Sequence, residues 1–328
     1  MEPGACAGLL AFVRGTPMAD ALQEILVLRP SSEFLDPALD REFHCLRPYL
    51  AADPDAVIRA ASHVTALVTT GSYGVPDALW SLLPNLGLVA VHGVGLDRVD
   101  VPRAEALGVR IATTPDALTD DVADLAIGLW LAASRRMGEG ERYIRARAWP
   151  STPAPALSVR ASGRRVGVLG FGRIGKAIAD RARVFASEVR YFNRSAVPGR
   201  DEQAMPTLIE LASWSEVLFV AASNAPGSRP LIDGPVLKAL GPDALLINVA
   251  RGAVVDEPAL VEALKFGRLG GAGLDVFADE PNVPADLLAL DNVVLQPHRG
   301  SATREGRQAM ADEVLQALRS HFELSHLD

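Results

Sequence analysis

One stretch constrains the fold of this 328-residue chain more than any other. Arg165-Val166-Gly167-Val168-Leu169 is an apolar, β-rich run. It leads into Gly170-Phe171-Gly172-Arg173-Ile174-Gly175, and Lys176-Ala177-Ile178-Ala179 then reads as the start of a helix. A strand, a GxGxxG turn and a helix in immediate succession open a parallel βαβ unit that binds dinucleotides. Gly170 permits the tight turn, Gly172 lets the backbone approach a pyrophosphate, and Gly175 allows close helix–strand packing. The helix N-terminus supplies N–H groups and a positive dipole to the phosphates.

The rest of the chain repeats this grammar. Strands are expected at Ile25–Leu28, Ala66–Thr69, Leu88–Val91 and Val109–Ala112. A second set begins at Arg165–Leu169 and continues through Val189–Phe192, Val217–Ala221, Ala244–Asn248, Ala272–Asp275 and Val293–Leu295. Strands alternating with helical patterns argue for parallel sheets covered on both faces. The length suits about two domains. Between the sets, a long helical segment is expected from Thr119 toward Arg147, with Thr119 as N-cap and Asp120, Asp121 and Asp124 at the positive end of its dipole. Arg135, Arg136, Arg142, Arg145 and Arg147 read as a solvated or interface face, and the prolines after Trp149 as a loop. An amphipathic helix from about Thr303 to Phe322 closes the chain.

Charge and cysteine content exclude several functions. The net charge is −8 with no long basic run, so neither nucleic acid nor an anionic membrane is the expected partner. Two cysteines, Cys6 and Cys45, are too few for a disulfide framework and fit a reducing, cytoplasmic compartment. No apolar run reaches the ~18 residues of a membrane span. The apolar patch Leu9–Val13 lacks a basic leader, so a signal peptide is not expected, and residues 1–17 read as an extension ahead of Met18.

Two further clusters carry chemistry. After the second strand of the glycine-loop set comes Asn193-Arg194-Ser195. An NAD-selective site has Asp or Glu here to bond the ribose hydroxyls. Asn193 removes that acid, Arg194 would attract a 2′-phosphate and Ser195 could donate to it, so NADPH is expected over NADH. Near the C-terminus, Asn248-Val249-Ala250-Arg251-Gly252, Asp279-Glu280-Pro281 and Gln296-Pro297-His298 supply an arginine, a glutamate and a histidine. A guanidinium can grip a carboxylate, a histidine can move a proton near neutral pH, and an adjacent glutamate raises that histidine's pKa. The other histidines show no paired metal-ligand spacing, so no metal is expected. His92 is expected to be structural.

In these segments, together with Val91-His92-Gly93-Val94-Gly95-Leu96-Asp97, Thr114–Asp124 and Gly273-Leu274-Asp275-Val276-Phe277, the chain resembles the D-isomer-specific 2-hydroxyacid dehydrogenases from about residue 24 onward. Its Asn193-Arg194-Ser195 turn looks most like that of the NADPH-preferring glyoxylate/hydroxypyruvate reductases. The resemblance implies an α/β protein of two doubly wound parallel-sheet domains with the active-site cleft between them. The first is a flavodoxin-like substrate domain of residues 1–112 plus 300–328. The second is a Rossmann dinucleotide-binding domain of residues 113–299.

The resemblance also assigns roles. Arg251 would bind the substrate carboxylate and polarise its 2-oxo group, His298 would donate the proton, and Glu280 would tune His298. Backbone at Val94 and Gly95, and near Gly71 and Ser72, would hold the carboxylate. Arg173 and Ile174 would face the cofactor phosphates, and Ser223, Val249 and Asp275 would line the cofactor. Trp149 would enter the neighbouring subunit's site in a homodimer. Two departures stand out: Arg299, expected to point to solvent, replaces an apolar residue, and Ala222–Pro226 is poorer in proline than its counterparts. The implied activity is NADPH-dependent reduction of glyoxylate and hydroxypyruvate. The alternatives are another 2-oxo acid, such as phenylpyruvate or a 2-ketogluconate, or a dinucleotide-sensing scaffold.

Overall fold

The computed structural model describes residues 22–149, 153–195, 197–200, 202–223 and 227–323. The extension at 1–17, residues 150–152 of the loop after Trp149 and residues 224–226 of the Ala222–Pro226 loop lie outside the described residues.

Among the described residues, twelve strands form two parallel sheets. The first holds β1 (Glu24–Val27), β2 (His44–Leu46), β3 (Ala66–Thr70), β4 (Leu88–His92) and β5 (Arg110–Ala112), in the order β2-β1-β3-β4-β5. The second holds β6 (Arg165–Leu169), β7 (Glu188–Phe192), β8 (Gln203–Ala204), β9 (Val217–Val220), β10 (Leu245–Asn248), β11 (Gly271–Leu274) and β12 (Val293–Leu295), in the order β12-β11-β10-β9-β6-β7-β8. Ten of these strands match the expected ones to within about a residue at each end. β2 and β8 were not expected. Both lie at sheet edges and span three and two residues, too short for any periodicity to show.

Successive side chains of the central strands enter cores on opposite faces. In β9, Val217 and Phe219 join one cluster and Leu218 and Val220 the other. In β4, Leu88 and Ala90 face one core and Val89 and Val91 the other. Burial on both faces explains why these strands read as unbroken apolar runs. The helix Thr119–Ser134 packs Val122, Ala126, Leu129 and Trp130 onto the seven-stranded sheet, with Trp130 edge-on to Phe219 at 5.8 Å. The last helix, Arg304–His321, buries Ala311, Val314, Leu315 and Leu318 under the five-stranded sheet. On this packing we propose domain boundaries near residues 112 and 300.

The long helical segment is in fact two helices. Thr119–Ser134 stops where Arg136 turns left-handed at φ 50°, and Met137–Arg145 follows. Thr119 is not the N-cap: it is the first helical residue, and its hydroxyl donates to the Pro115 carbonyl at 3.2 Å. Thr303 does cap the last helix, accepting from the Gly306 N–H at 2.9 Å. Its hydroxyl also donates to Asp121 at 2.5 Å, joining the two long helices. Among the described residues, no helix is long and apolar enough to cross a membrane.

Candidate active site

Residues just past the carboxyl ends of strands from both sheets line one cleft, in two adjoining parts of about 800 and 670 Å³. This is where parallel α/β sheets place their ligands.

The cofactor side follows the glycine loop. Gly170 holds φ 87°, and a Cβ there would lie 2.6 Å from the Ala222 backbone. A Cβ on Gly175 would strike the Gly170 carbonyl at 1.9 Å, so only glycine permits this helix–strand approach. Gly172 is the N-cap of the helix Arg173–Ala182, and a Cβ there would meet nothing within 4 Å. A tight turn with open space at the helix N-terminus fits a dinucleotide pyrophosphate. Ile174, Ser223 and Val249 line the larger part of the cleft. Arg173 stands at the first helical position, 3.4 Å from Asp116.

Asn193 follows the end of β7, half-buried. Its Oδ1 accepts from the Phe171 N–H at 3.2 Å and its Nδ2 donates to the Ser195 carbonyl at 3.0 Å. The side chain thus braces the glycine loop. Arg194 and Ser195 are exposed beside it, and the Arg194 side chain has no partner among the described residues.

The chemical groups meet in the smaller part of the cleft. His298 Nδ1 lies 2.8 Å from Glu280 Oε2, and Glu280 Oε1 accepts from the Phe277 N–H at 3.1 Å. That bond, working against burial, holds His298 above its ordinary pKa. Burial pushes Glu280 up, but the His298 bond and charge outweigh it and hold the carboxyl below its ordinary range. Nδ1 is thus engaged, and Nε2 is left for chemistry in the cleft.

His298 sits at φ 52°, a left-handed conformation that costs a non-glycine residue roughly 1–3 kcal/mol unless its surroundings enforce it. Asp275 enforces it. Its carbonyl accepts from the His298 N–H at 2.8 Å, and its carboxylate accepts from the N–H groups of Arg299 at 2.6 Å and Gly300 at 2.8 Å. Asp275 lines the smaller part of the cleft, and at 1% exposure its main visible work is shaping the histidine turn, which the sequence did not reveal. Arg299 is exposed, as its solvent reading requires.

Arg251 reaches the cleft from the loop after β10. Its Nε donates to Asp97 Oδ2 at 2.8 Å and its Nη1 to the Ala250 carbonyl at 2.7 Å. A Cβ on Gly95 would lie 2.1 Å from Arg251 Nη2, so the guanidinium occupies space only a glycine leaves. Asp97 follows β4 in the other sheet, so this pair ties the two halves together across the cleft. Sequence reading missed Asp97, although it lies within the Gly95-Leu96-Asp97 segment already singled out. Gly71, Ser72, Val94 and Gly95 line the cleft opposite His298. Trp149 does not: it is 73% exposed and outside both parts of the cleft.

Comparison with known proteins gives this geometry its family. Residues 127–300 match the model for the D-isomer specific 2-hydroxyacid dehydrogenase, NAD binding domain. The chain is 46% identical to a hydroxyphenylpyruvate reductase of Plectranthus scutellarioides and 43% identical to glyoxylate/hydroxypyruvate reductase A of Arabidopsis thaliana, each over 91% of this chain and 95% of the relative. It superposes on the NADPH-dependent glyoxylate/hydroxypyruvate reductase of Sinorhizobium meliloti, solved with NADP and malonate. There the TM-score is 0.84 at 38% identity, covering 92% of this chain and 94% of that one. With the fold, the glycine loop and the family match in agreement, the chain belongs to the D-isomer-specific 2-hydroxyacid dehydrogenases and is an oxidoreductase of that family.

Proposed function

We propose that the enzyme reduces small 2-oxo acids, glyoxylate and hydroxypyruvate foremost, to D-2-hydroxy acids with NADPH. The observation that carries this reading is the 2.8 Å His298–Glu280 pair, which shares one cleft with Arg251. Arg251 binds the carboxylate and polarises the 2-oxo oxygen. The N–H groups of Val94 and Gly95, with backbone near Gly71 and Ser72, hold the carboxylate in place. His298, kept protonated by Glu280, gives its Nε2 proton to the alkoxide that develops at C2. The bound nicotinamide supplies the hydride, and the protein supplies placement and charge. Closure of the two halves excludes water from the step.

Exposed, unpartnered Arg194 with Ser195 supports NADPH as the preferred cofactor, NADH being the weaker one. The exposed Met137, Ile144, Trp149 and Leu157 support a homodimer in which a second copy covers them and Trp149 reaches the neighbour's site. The cytoplasmic location rests on the cysteine content alone. A second reading, an aromatic 2-oxo acid such as hydroxyphenylpyruvate, is favoured by the 46% identity to the Plectranthus enzyme.

Initial rates with glyoxylate, hydroxypyruvate and phenylpyruvate, each with NADPH and NADH, test the proposal. Fast NADPH oxidation by the two small acids is expected. Turnover of phenylpyruvate alone would select the second reading. Tight NADPH binding without turnover of any 2-oxo acid would leave a dinucleotide-sensing scaffold.

A further inference from the structure

The cleft holds polar groups that the proposed chemistry does not use. His92, the last residue of β4, is 4% exposed, and its Nε2 has no hydrogen-bond partner. Burial, with the charge of Arg307 assisting, pushes its pKa down to about 4, so the ring is neutral at physiological pH. Arg307 stands in the first turn of the last helix, half-buried, in the part of the cleft that holds Arg251, Glu280 and His298. Among the described residues nothing accepts a hydrogen bond from its guanidinium. Burial, then the charge of Arg299, lowers its pKa from the ordinary guanidinium value, yet a guanidinium stays charged.

The chain pairs comparable arginines elsewhere. Arg200 bonds Asp180 and Glu202, Arg181 bonds Asp120 and Asp124, and Arg319 grips both oxygens of Glu42. A half-buried cation and a buried ring nitrogen, both unsatisfied and both on one cleft, point to a ligand that completes them.

We propose that Arg307 and His92 form a recognition point for an oxygen on the third carbon of the 2-oxo acid, a hydroxyl or a carboxylate, so that polar tails are preferred over aromatic ones. This inference rests on the 2-oxo acid reading above and narrows it. Arg251 and the backbone N–H groups hold the carboxylate end, and His298 addresses C2. The tail oxygen accepts from the Arg307 guanidinium. His92 Nε2, a donor or an acceptor according to tautomer, completes a hydroxyl in either sense. An aromatic tail leaves both groups unmatched, the kind of penalty that separates substrates most strongly. Glyoxylate has no third carbon and serves as the internal reference.

The test is Arg307→Met, read as the ratio of kcat/KM for hydroxypyruvate to that for glyoxylate. A hydrogen bond to a charged group is worth roughly ten- to a hundred-fold in binding. The ratio is expected to fall at least tenfold, while the ratio for phenylpyruvate over glyoxylate holds or rises. A second readout needs no turnover. In the enzyme saturated with NADPH, calorimetry should show Arg307→Met weakening D-glycerate about tenfold more than glycolate. Equal losses for both acids, in rates and in affinities, would overturn the proposal. If the methionine variant does not fold, Arg307→Gln is read in the same two ways. Wild-type enzyme that reduces neither small acid would sink the broader functional reading instead, and the two failures are told apart by that control.

Discussion

The two walls of the cleft are built on opposite plans. On the seven-stranded side Glu280, Asp275, Arg251 and the Nδ1 face of His298 are already engaged. Glu280 holds His298 Nδ1, Asp275 binds three backbone N–H groups around that histidine, and Ala250 holds one nitrogen of Arg251. On the five-stranded side, His92 Nε2 and the Arg307 guanidinium are left open. The difference separates two demands. Groups that act on the reacting carbon must be set before substrate arrives, because reorganisation then costs rate. Groups that recognise a variable tail gain discrimination by being satisfied only when the right tail is present.

The contrast breaks most visibly at His298, the proposed proton donor. His298→Ala should lower kcat for 2-oxo acid reduction by about 10²–10⁴-fold, the usual contribution of a positioned general acid. NADPH affinity should barely change, since the glycine loop lies apart from the histidine turn. A loss under tenfold, measured at saturating substrate, would remove His298 from its assigned role.

The next effect concerns the Arg251–Asp97 contact across the cleft. The Arg251–Asp97 pair is partly exposed, with side chains 30% and 46% accessible, so it adds little to stability. Its worth lies in aiming Arg251. Asp97→Ala should cost roughly 10–100-fold in kcat/KM for the 2-oxo acid, as a misplaced binding group does, with Tm almost unmoved. Asp97→Asn keeps an acceptor oxygen and should recover part of the loss. Wild-type kinetics in Asp97→Ala would show that Arg251 finds its place without the far wall.

A smaller effect is expected at the cofactor's far end. Arg194→Ala should raise the apparent KM for NADPH by about tenfold, near the low end for a hydrogen bond to a charged group because Arg194 is exposed. The KM for NADH should stay within about twofold, since NADH carries no 2′-phosphate. Equal effects on both cofactors would mean that Arg194 is a solvated charge.

Legibility in the sequence followed the range of the interaction. The glycine loop could be read because its three glycines answer local demands: a left-handed turn, open space and a close helix approach. That Arg251, Glu280 and His298 meet in one cleft could be expected from their local segments and their family order. The partners that act across sequence could not. Asp97 is 154 residues from Arg251, and Thr303 is 182 residues from the Asp121 it bonds. Nothing in a linear pattern reports such pairings. The bracing role of Asn193 was hidden for a related reason: its position suggested the ribose, and only the fold shows its amide bonded to Phe171 and Ser195. His92 looked structural, and only the fold shows it lining the cleft with its buried Nε2 unpartnered. The edge strands β2 and β8 are set by neighbouring strands rather than by their own residues.

The subtlest test separates geometry from charge within the catalytic pair itself. In the proposed mechanism reduction requires protonated His298, so kcat/KM should fall as pH rises through its pKa, which the Glu280 bond holds above the ordinary imidazole value. Glu280→Gln keeps an acceptor for the imidazole N–H but removes the negative charge. The falling limb should therefore move to lower pH, while the rate below that limb changes little. The stability of the pair has matching signs. The raised His298 contributes fully below its unfolded pKa and loses that contribution as pH rises through the folded value. The lowered Glu280 contributes above its unfolded value and loses that contribution as pH falls through the folded one. The two contributions overlap between the carboxyl and imidazole titrations, so the pair is best formed in mildly acid to neutral solution. A profile unmoved by Glu280→Gln would mean that the histidine's protonation is set by the rest of the cleft, with Asp275 the next acid to examine, since its charge also raises the His298 pKa.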